Sequence, residues 1–212
     1  MSTIELKQSI AAPVSQVYRA FTNATALREW MSDVATVLPH DGGRIYLAWN
    51  NGYYTAGEFT RLSPNECVEF TWNGRTEPGI THVKVTMTGQ DSKTDLRLEH
   101  TGIGEGDEWD LVRRKFEDEW AKNLRNLTSV LETGEDLRIT KRPMLGILIG
   151  EYSQELASKL NTPVSDAVRL DSTIDGMGAQ KAGLQKDDVI VEMDGKRIID
   201  FPGLVSALSG RE

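Results

Sequence analysis

The side chains able to do acid–base, nucleophilic or metal chemistry are few and scattered: His40, His82, His100 and the lone Cys67. No two of them stand at the spacing of a metal motif, so no metal is expected. No serine sits in a nucleophile motif beside a base. Cys67 falls in "ECVEFTW", a strand-like run, and reads as a small buried hydrophobe rather than a nucleophile. His100 closes a strand-like run on its apolar face, either as a polar contact for a ligand or as a histidine satisfied by a neighbouring backbone group. His82 points outward with Lys84, and His40 sits in a loop. Glu117 and Asp118 are adjacent on a helical stretch and face solvent. The residues therefore predict a non-enzymatic protein without a cofactor.

A second kind of chemistry belongs to the backbone. "KRPMLGILIG", residues 141–150, places Gly146 among bulky apolar neighbours. A buried strand gains nothing from glycine, which packs no side chain and costs backbone entropy. Something must approach that backbone closely.

The 212 residues carry 24 Lys/Arg against 32 Asp/Glu, a net charge of −8. Residues 1–135 hold 14 basic and 20 acidic side chains, net −6, and residues 136–212 hold 10 and 12, net −2. Neither half offers the basic surface that binding a phosphate backbone requires, which excludes nucleic acid as a partner. No run approaches the roughly 18 consecutive apolar residues of a membrane span. The start, "MSTIELKQSI", lacks the basic and apolar regions of a secretory signal. A single cysteine suits a reducing compartment, and a cytoplasmic location is expected.

In residues 1–135, "TIELKQSI" alternates as a strand. Pro13 suits the first turn of a helix carrying Val14, Val17, Tyr18 and Phe21, and Leu27, Trp30 and Met31 mark a second short helix. Six strand-like runs follow at 34–38, 44–49, 53–60, 66–72, 81–88 and 95–100, separated by turn clusters. Short connections favour an antiparallel meander. Trp109, Val112, Phe116, Trp120, Leu124, Leu127 and Leu131 then repeat at helical spacing, with Asp107 as cap and Gly134 as stop. Alternation sets Val68, Phe70 and Trp72 on one face, with Val83, Val85 and Met87, and with Leu96, Leu98 and His100.

This order resembles the helix-grip fold of the START-like superfamily (SRPBCC). It resembles most the family named after the activator of the 90-kDa heat-shock chaperone ATPase. The likeness lies in "IAAPVSQVYRAFTN", "LREWM", "VEFTW", "LRLEHTGIG" and "DEWAKNLRNLTSVLETG", and covers about residues 3–134. It implies a cavity between curved sheet and long helix for a small apolar ligand. The walls would be Trp30, Trp49, Phe70, Trp72, Val85, Met87, Leu98, His100, Trp109, Phe116 and Trp120. The same side chains would serve equally to fill a core, since sheet and helix must bury their apolar faces in any case.

"ETGEDLRITK" is polar and aperiodic, and residues 136–141 read as a linker. Residues 142–212 resemble a PDZ domain of the bacterial HtrA type: "MLGI" matches its carboxylate-binding loop, and "GMGAQKAGLQKDDVIVEMDGKRI" its most specific block. "FPGLVSAL" is similar to its groove helix. The resemblance accounts for Gly146. The amides of Leu145, Gly146 and Ile147 would receive a C-terminal carboxylate, with Arg142 or Lys141 adding charge. A peptide would lie beside Ile147–Ile149 and meet Leu204 and Leu208. Asp187-Asp188 stands where that family has Gly-Asp. Its final strand is missing here, which implies a homodimer if another chain supplies it.

The expected architecture is α+β: a helix-grip domain, then a small PDZ-like α/β partial barrel. The expected function is a two-module binding protein for a small apolar ligand and a C-terminal peptide, an adaptor or sensor. The alternatives are a co-chaperone acting on a heat-shock ATPase, which fits a role in stress response, and a cyclase- or hydrolase-like enzyme using the cavity.

Overall fold

The period-2 runs become a single seven-stranded sheet in this computed structural model, which describes residues 2–141 and 144–208. After β1 (Ser2–Ile10) come α1 (Val14–Thr22) and α2 (Ala24–Trp30). The meander runs through β2 (Val34–Val37), β3 (Arg44–Ala48), β4 (Tyr54–Ser63), β5 (Cys67–Gly74), β6 (Thr81–Gln90) and β7 (Lys93–Ile103). The order across the sheet is β1-β7-β6-β5-β4-β3-β2, antiparallel throughout. The first strand thus closes on the last. A long helix, α3 (Asp107–Thr133), then covers the inner face.

Alternation decides which face is covered. Val68, Phe70 and Trp72, with Val83, Val85, Met87, Leu96, Leu98 and His100, are all buried. Phe116, Trp120, Leu124 and Leu127 face them from α3 at three- and four-residue steps. Burying each large apolar side chain contributes about 1.5–3 kcal/mol, so this interface is the dominant source of stability in the unit. The outer face carries charge instead, with Lys84 bridging to Glu69 and Arg97 to Glu5 and Glu99. These pairs are at least partly open to solvent and add little.

Several boundaries differ from expectation. Pro13 is the residue before α1, with an extended ψ of 143°, rather than part of its first turn. Gly106, at φ 104°, caps α3; Asp107 is its first residue, and with Glu108 and Asp110 it complements the helix dipole. Gly134 ends α3 in the left-handed conformation, as its place after the apolar stripe predicts. β7 runs on to Ile103, so His100 lies inside the strand and not at its end.

The segment expected as a linker is built into the first unit as far as Thr140. Asn126, 3% exposed, explains how. Its amide nitrogen donates to Trp30 O at 2.7 Å and to Asp136 Oδ1 at 3.0 Å, while its oxygen accepts from Leu137 N–H. The chain then makes one helical turn, α4 (Leu137–Thr140), and Arg138 donates to Asp136 and to Arg28 O.

The second unit begins at Lys141. β8 (Ile147–Gly150) is the edge of a three-stranded sheet with β9 (Val168–Thr173) and β10 (Val189–Ile190). α5 (Gln154–Lys159) and α6 (Gly178–Lys181) fill the connections. β11 (Glu192–Met193) and β12 (Lys196–Arg197) form a hairpin, and α7 (Phe201–Leu208) follows. Its small core joins Val168, Ile198 and Leu204. Arg169 is nearly buried and donates to Glu151 O and Asp187 Oδ1. Asp187 adopts φ 71°, so the side chain at this unusual position holds the guanidinium that a glycine could not.

Replacing Asn126 by Ala strips three hydrogen bonds from one buried point and leaves Trp30 O and Leu137 N–H without this partner, while Asp136 keeps Arg138. The variant should lose about 2–3 kcal/mol of unfolding free energy in a urea titration. A loss within error of zero would show that the 136–140 turn is held by other means.

Candidate functional site

The inner face of the grip brings together six of the predicted wall residues. Trp72 stands at the centre, with ring centroids 5.6 Å from Trp120, 6.2 Å from Phe116, 6.1 Å from His100, and 6.4 Å from both Phe70 and Trp49. His100 lies 4.3 Å from Phe116. These rings touch one another across the space between β5, β7 and α3. Val85, Met87 and Leu98 are buried on the same face. Trp109 is half-buried beside Gly79 and Gly104, and a Cβ on Gly104 would overlap its indole. Trp30 stands apart, edge-on to Phe21 and bonded to Ala20 O. A cleft of about 270 Å³ lies on its side of the unit, lined by Arg19, Glu29, Val130 and Leu131 among others.

A polar thread runs through this aromatic packing. The Trp120 indole N–H can only donate, and it lies 3.0 Å from His100 Nδ1. Nδ1 must therefore be the bare, accepting nitrogen. The ring proton sits on Nε2 and is donated to Thr81 Oγ1 at 2.7 Å, and Thr81 passes its own hydroxyl to Trp72 O. Burial, and then the nearby His82, hold His100 down to about pKa 3. His100 is thus a neutral bridge between helix and sheet. Its partners are side chains rather than the expected backbone group, and neither ring nitrogen is left for a ligand.

A second thread has no counterpart in the sequence pattern. The Trp72 indole donates to Tyr53 Oη, and Tyr53 donates to Glu77 Oε1, both at 2.9 Å. Lys115 from α3 lies over the Tyr53 ring at 4.5 Å. Burial first, and then the Glu77 carboxylate, push the Tyr53 phenol far up. Trp49 packs on Tyr53 at 5.3 Å and donates to Met31 O. Tyr53 and Glu77 sit in turn and loop segments, and their partners are distant in sequence, so no local pattern announces them. Cys67 is buried, with its thiol pushed up by burial and by Glu69, which suits the packing role read for it. Among the described residues no group of three His, Cys, Asp or Glu side chains could hold a metal. No described helix is long and apolar enough to cross a membrane.

In the second unit, Gly146 sits at φ 75°, and a Cβ there would overlap the Met177 side chain. The carbonyls of Leu145 and Gly146 accept from Ala179 and Ile174 N–H. In a trans peptide the N–H points opposite to the carbonyl, so the amides of Gly146 and Ile147 face away from those partners. β8 pairs only with β9 among the described residues, and Leu148 and Ile149 are exposed. Leu204 is buried in the core, and Leu208 is half-buried beside it. Arg142 lies outside the described residues.

Seven antiparallel strands closing round one long helix, with two short helices inserted after the first strand, define the Aha1/polyketide-cyclase-like α+β class. Within it, the chain belongs to the family described as Activator of Hsp90 ATPase homolog 1-like protein, which matches residues 11–132. The human "Activator of 90 kDa heat shock protein ATPase homolog 1" is 26% identical over 102 residues, 47% of this chain. The chain spans only 29% of that relative's length. In structure, the unit is similar to the Aha1 dimer from Colwellia psychrerythraea, with TM-score 0.55 and 24% identity, over 64% of this chain and 99% of that one. It is also similar to an HSP90 activator from Plasmodium falciparum, with TM-score 0.51 and 24% identity, over 61% and 95%. At such identities the likeness to solved structures is one of fold.

The neutral His100 gives a pH dependence whose sign is fixed. Between its unfolded value near 6.5 and about 3, the unfolded chain binds a proton that the folded chain does not. The stabilisation is complete above pH 6.5 and declines as pH falls. His100→Gln keeps an acceptor for Trp120 and a donor for Thr81 but does not titrate. Between pH 7 and 5 the parent should lose about 2 kcal/mol more stability than this variant in urea unfolding. Equal losses would mean that His100 titrates normally in the fold.

Proposed function

We propose that this chain is a two-module binding protein whose first unit docks on a heat-shock ATPase and alters its turnover. The family match over residues 11–132 carries this reading, since it spans the unit from the start of α1 to the last turn of α3. The ring packing adds support. Trp72, His100, Phe116 and Trp120 occupy the middle of the grip themselves, which favours docking by an outer surface over carriage of a large apolar ligand. The test is steady-state ATP turnover of the 90-kDa heat-shock ATPase from the same organism across a concentration series of the chain. A saturable change in rate is expected. A flat response through the range where the chain is in large excess sinks the reading.

A separate observation favours a second activity, capture of a C-terminal peptide in a PDZ-like groove by the second unit. The outward amides of Gly146 and Ile147, beside the open edge of β8, suit a terminal carboxylate, and the peptide would extend the sheet along β8. Micromolar affinity, about −8 kcal/mol, is the expected scale. On a peptide array, free acids should bind and matched amides should not. Gly146→Val places a β-branched side chain at a positive φ and against Met177, and should abolish the signal. Equal binding of acids and amides by the parent chain would refute carboxylate recognition whether or not the variant folds.

A further inference from the structure

Two buried oxygens at the β4–β5 end of the grip have no hydrogen-bond partner among the described residues: Thr55 Oγ1 and Glu77 Oε2. They are neighbours. Thr55 lies directly opposite Gly74 in the β4–β5 ladder, and both residues are buried on the inner face. A Cβ on Gly74 would overlap Glu77 Oε2 and Tyr53 Oη. The Glu77 carboxylate therefore fills the place of the side chain that Gly74 lacks. Directly opposed side chains stand about 5 Å apart in such a ladder. Thr55 and Glu77 nonetheless do not bond to each other, so one donor group between them could serve both.

The surroundings define that donor. Glu77 Oε1 is engaged by Tyr53 and, at 3.4 Å, by Thr76. Glu77 forms no ion pair among the described residues; the Lys115 ammonium stands over the Tyr53 ring, 4.5 Å from its centroid, but outside ion-pair distance of the carboxylate. A carboxylate oxygen removed from water calls for a positive partner. The nearby walls are the rings of Trp49 and Trp72, whose faces attract cations, beside Tyr53, which already has Lys115 over one face. A hard metal ion asks for about six or more oxygen ligands, many more than converge here. An alkylammonium asks for a few acceptors and an apolar wall.

We propose that this end of the grip binds a small protonated amine. Its ammonium donates to Glu77 Oε2 and Thr55 Oγ1, and its carbons lie against Trp49 and Trp72. Residues 75–80, which carry Glu77 between β5 and β6, cover the site and are the part that must yield for entry.

The test is calorimetric titration of the full chain with n-butylammonium chloride, beside n-butanol and potassium chloride. Saturable binding of the amine alone is expected, weakened about tenfold or more in Glu77→Gln and also reduced in Thr55→Val. If Glu77→Gln fails to fold by circular dichroism, the Thr55→Val comparison decides. Equal binding of butanol would reduce the site to an apolar cavity, and equal binding of potassium to a general cation site; either overturns the proposal. No saturable binding overturns it as well, and assigns the two oxygens to a bridging water.

Discussion

The contact between Trp120 and His100 fixes the first unit more than any other single interaction. A long amphipathic helix lying on a sheet can slide and rotate while keeping most of its apolar burial, because hydrophobic contact is not directional. A hydrogen bond is directional. The Trp120 indole has one proton to give, and His100 Nδ1 receives it only at one position of α3. Thr81 then ties the other ring nitrogen to β6, next to β7 in the sheet. Helix register, histidine tautomer and strand pairing are therefore set together. Breaking any member leaves a buried polar atom unpaired, which is why such threads hold a core to one arrangement.

The sheet and long helix are legible in the sequence because their signals are local. Val68, Phe70 and Trp72 announce an inner face by alternation, and Phe116, Trp120, Leu124 and Leu127 announce a stripe by helical spacing. Both signals hold because one face of each element is buried along its whole length. The ends are less legible. Pro13 fits a first helical turn as well as the residue before it, and only the chain's path out of β1 decides. Asp107 is a good cap in isolation, but the turn after β7 needs a positive φ that Gly106 supplies. The 136–140 segment resembles a linker because its attachment depends on Asn126, ten residues earlier and indistinguishable in sequence from a surface asparagine.

The candidate sites divide the same way. The aromatic residues can be named from sequence, yet which ring meets which depends on the fold, and Trp30 belongs to another corner. His100 can be placed on the inner face, but its partners Thr81 and Trp120 lie about twenty residues away on either side. Thr55, Tyr53 and Glu77 carry no sequence signal at all. Gly146 is the reverse case: a glycine out of place in an apolar run points to a backbone constraint by its residue type alone. In the fold that constraint is a left-handed residue with Met177 packed against it.

One consequence concerns how unfolding of this protein is observed. All five tryptophans lie in the first unit, four of them within the packed rings or at their margin. The second unit has only Tyr152 as a strong intrinsic fluorophore among its described residues. Indole emission, which shifts when the ring passes from apolar packing into water, would follow the first unit and be blind to the second. A single smooth fluorescence transition is therefore no measure of cooperativity in the whole chain. The two units can melt at different temperatures while the indoles record one event.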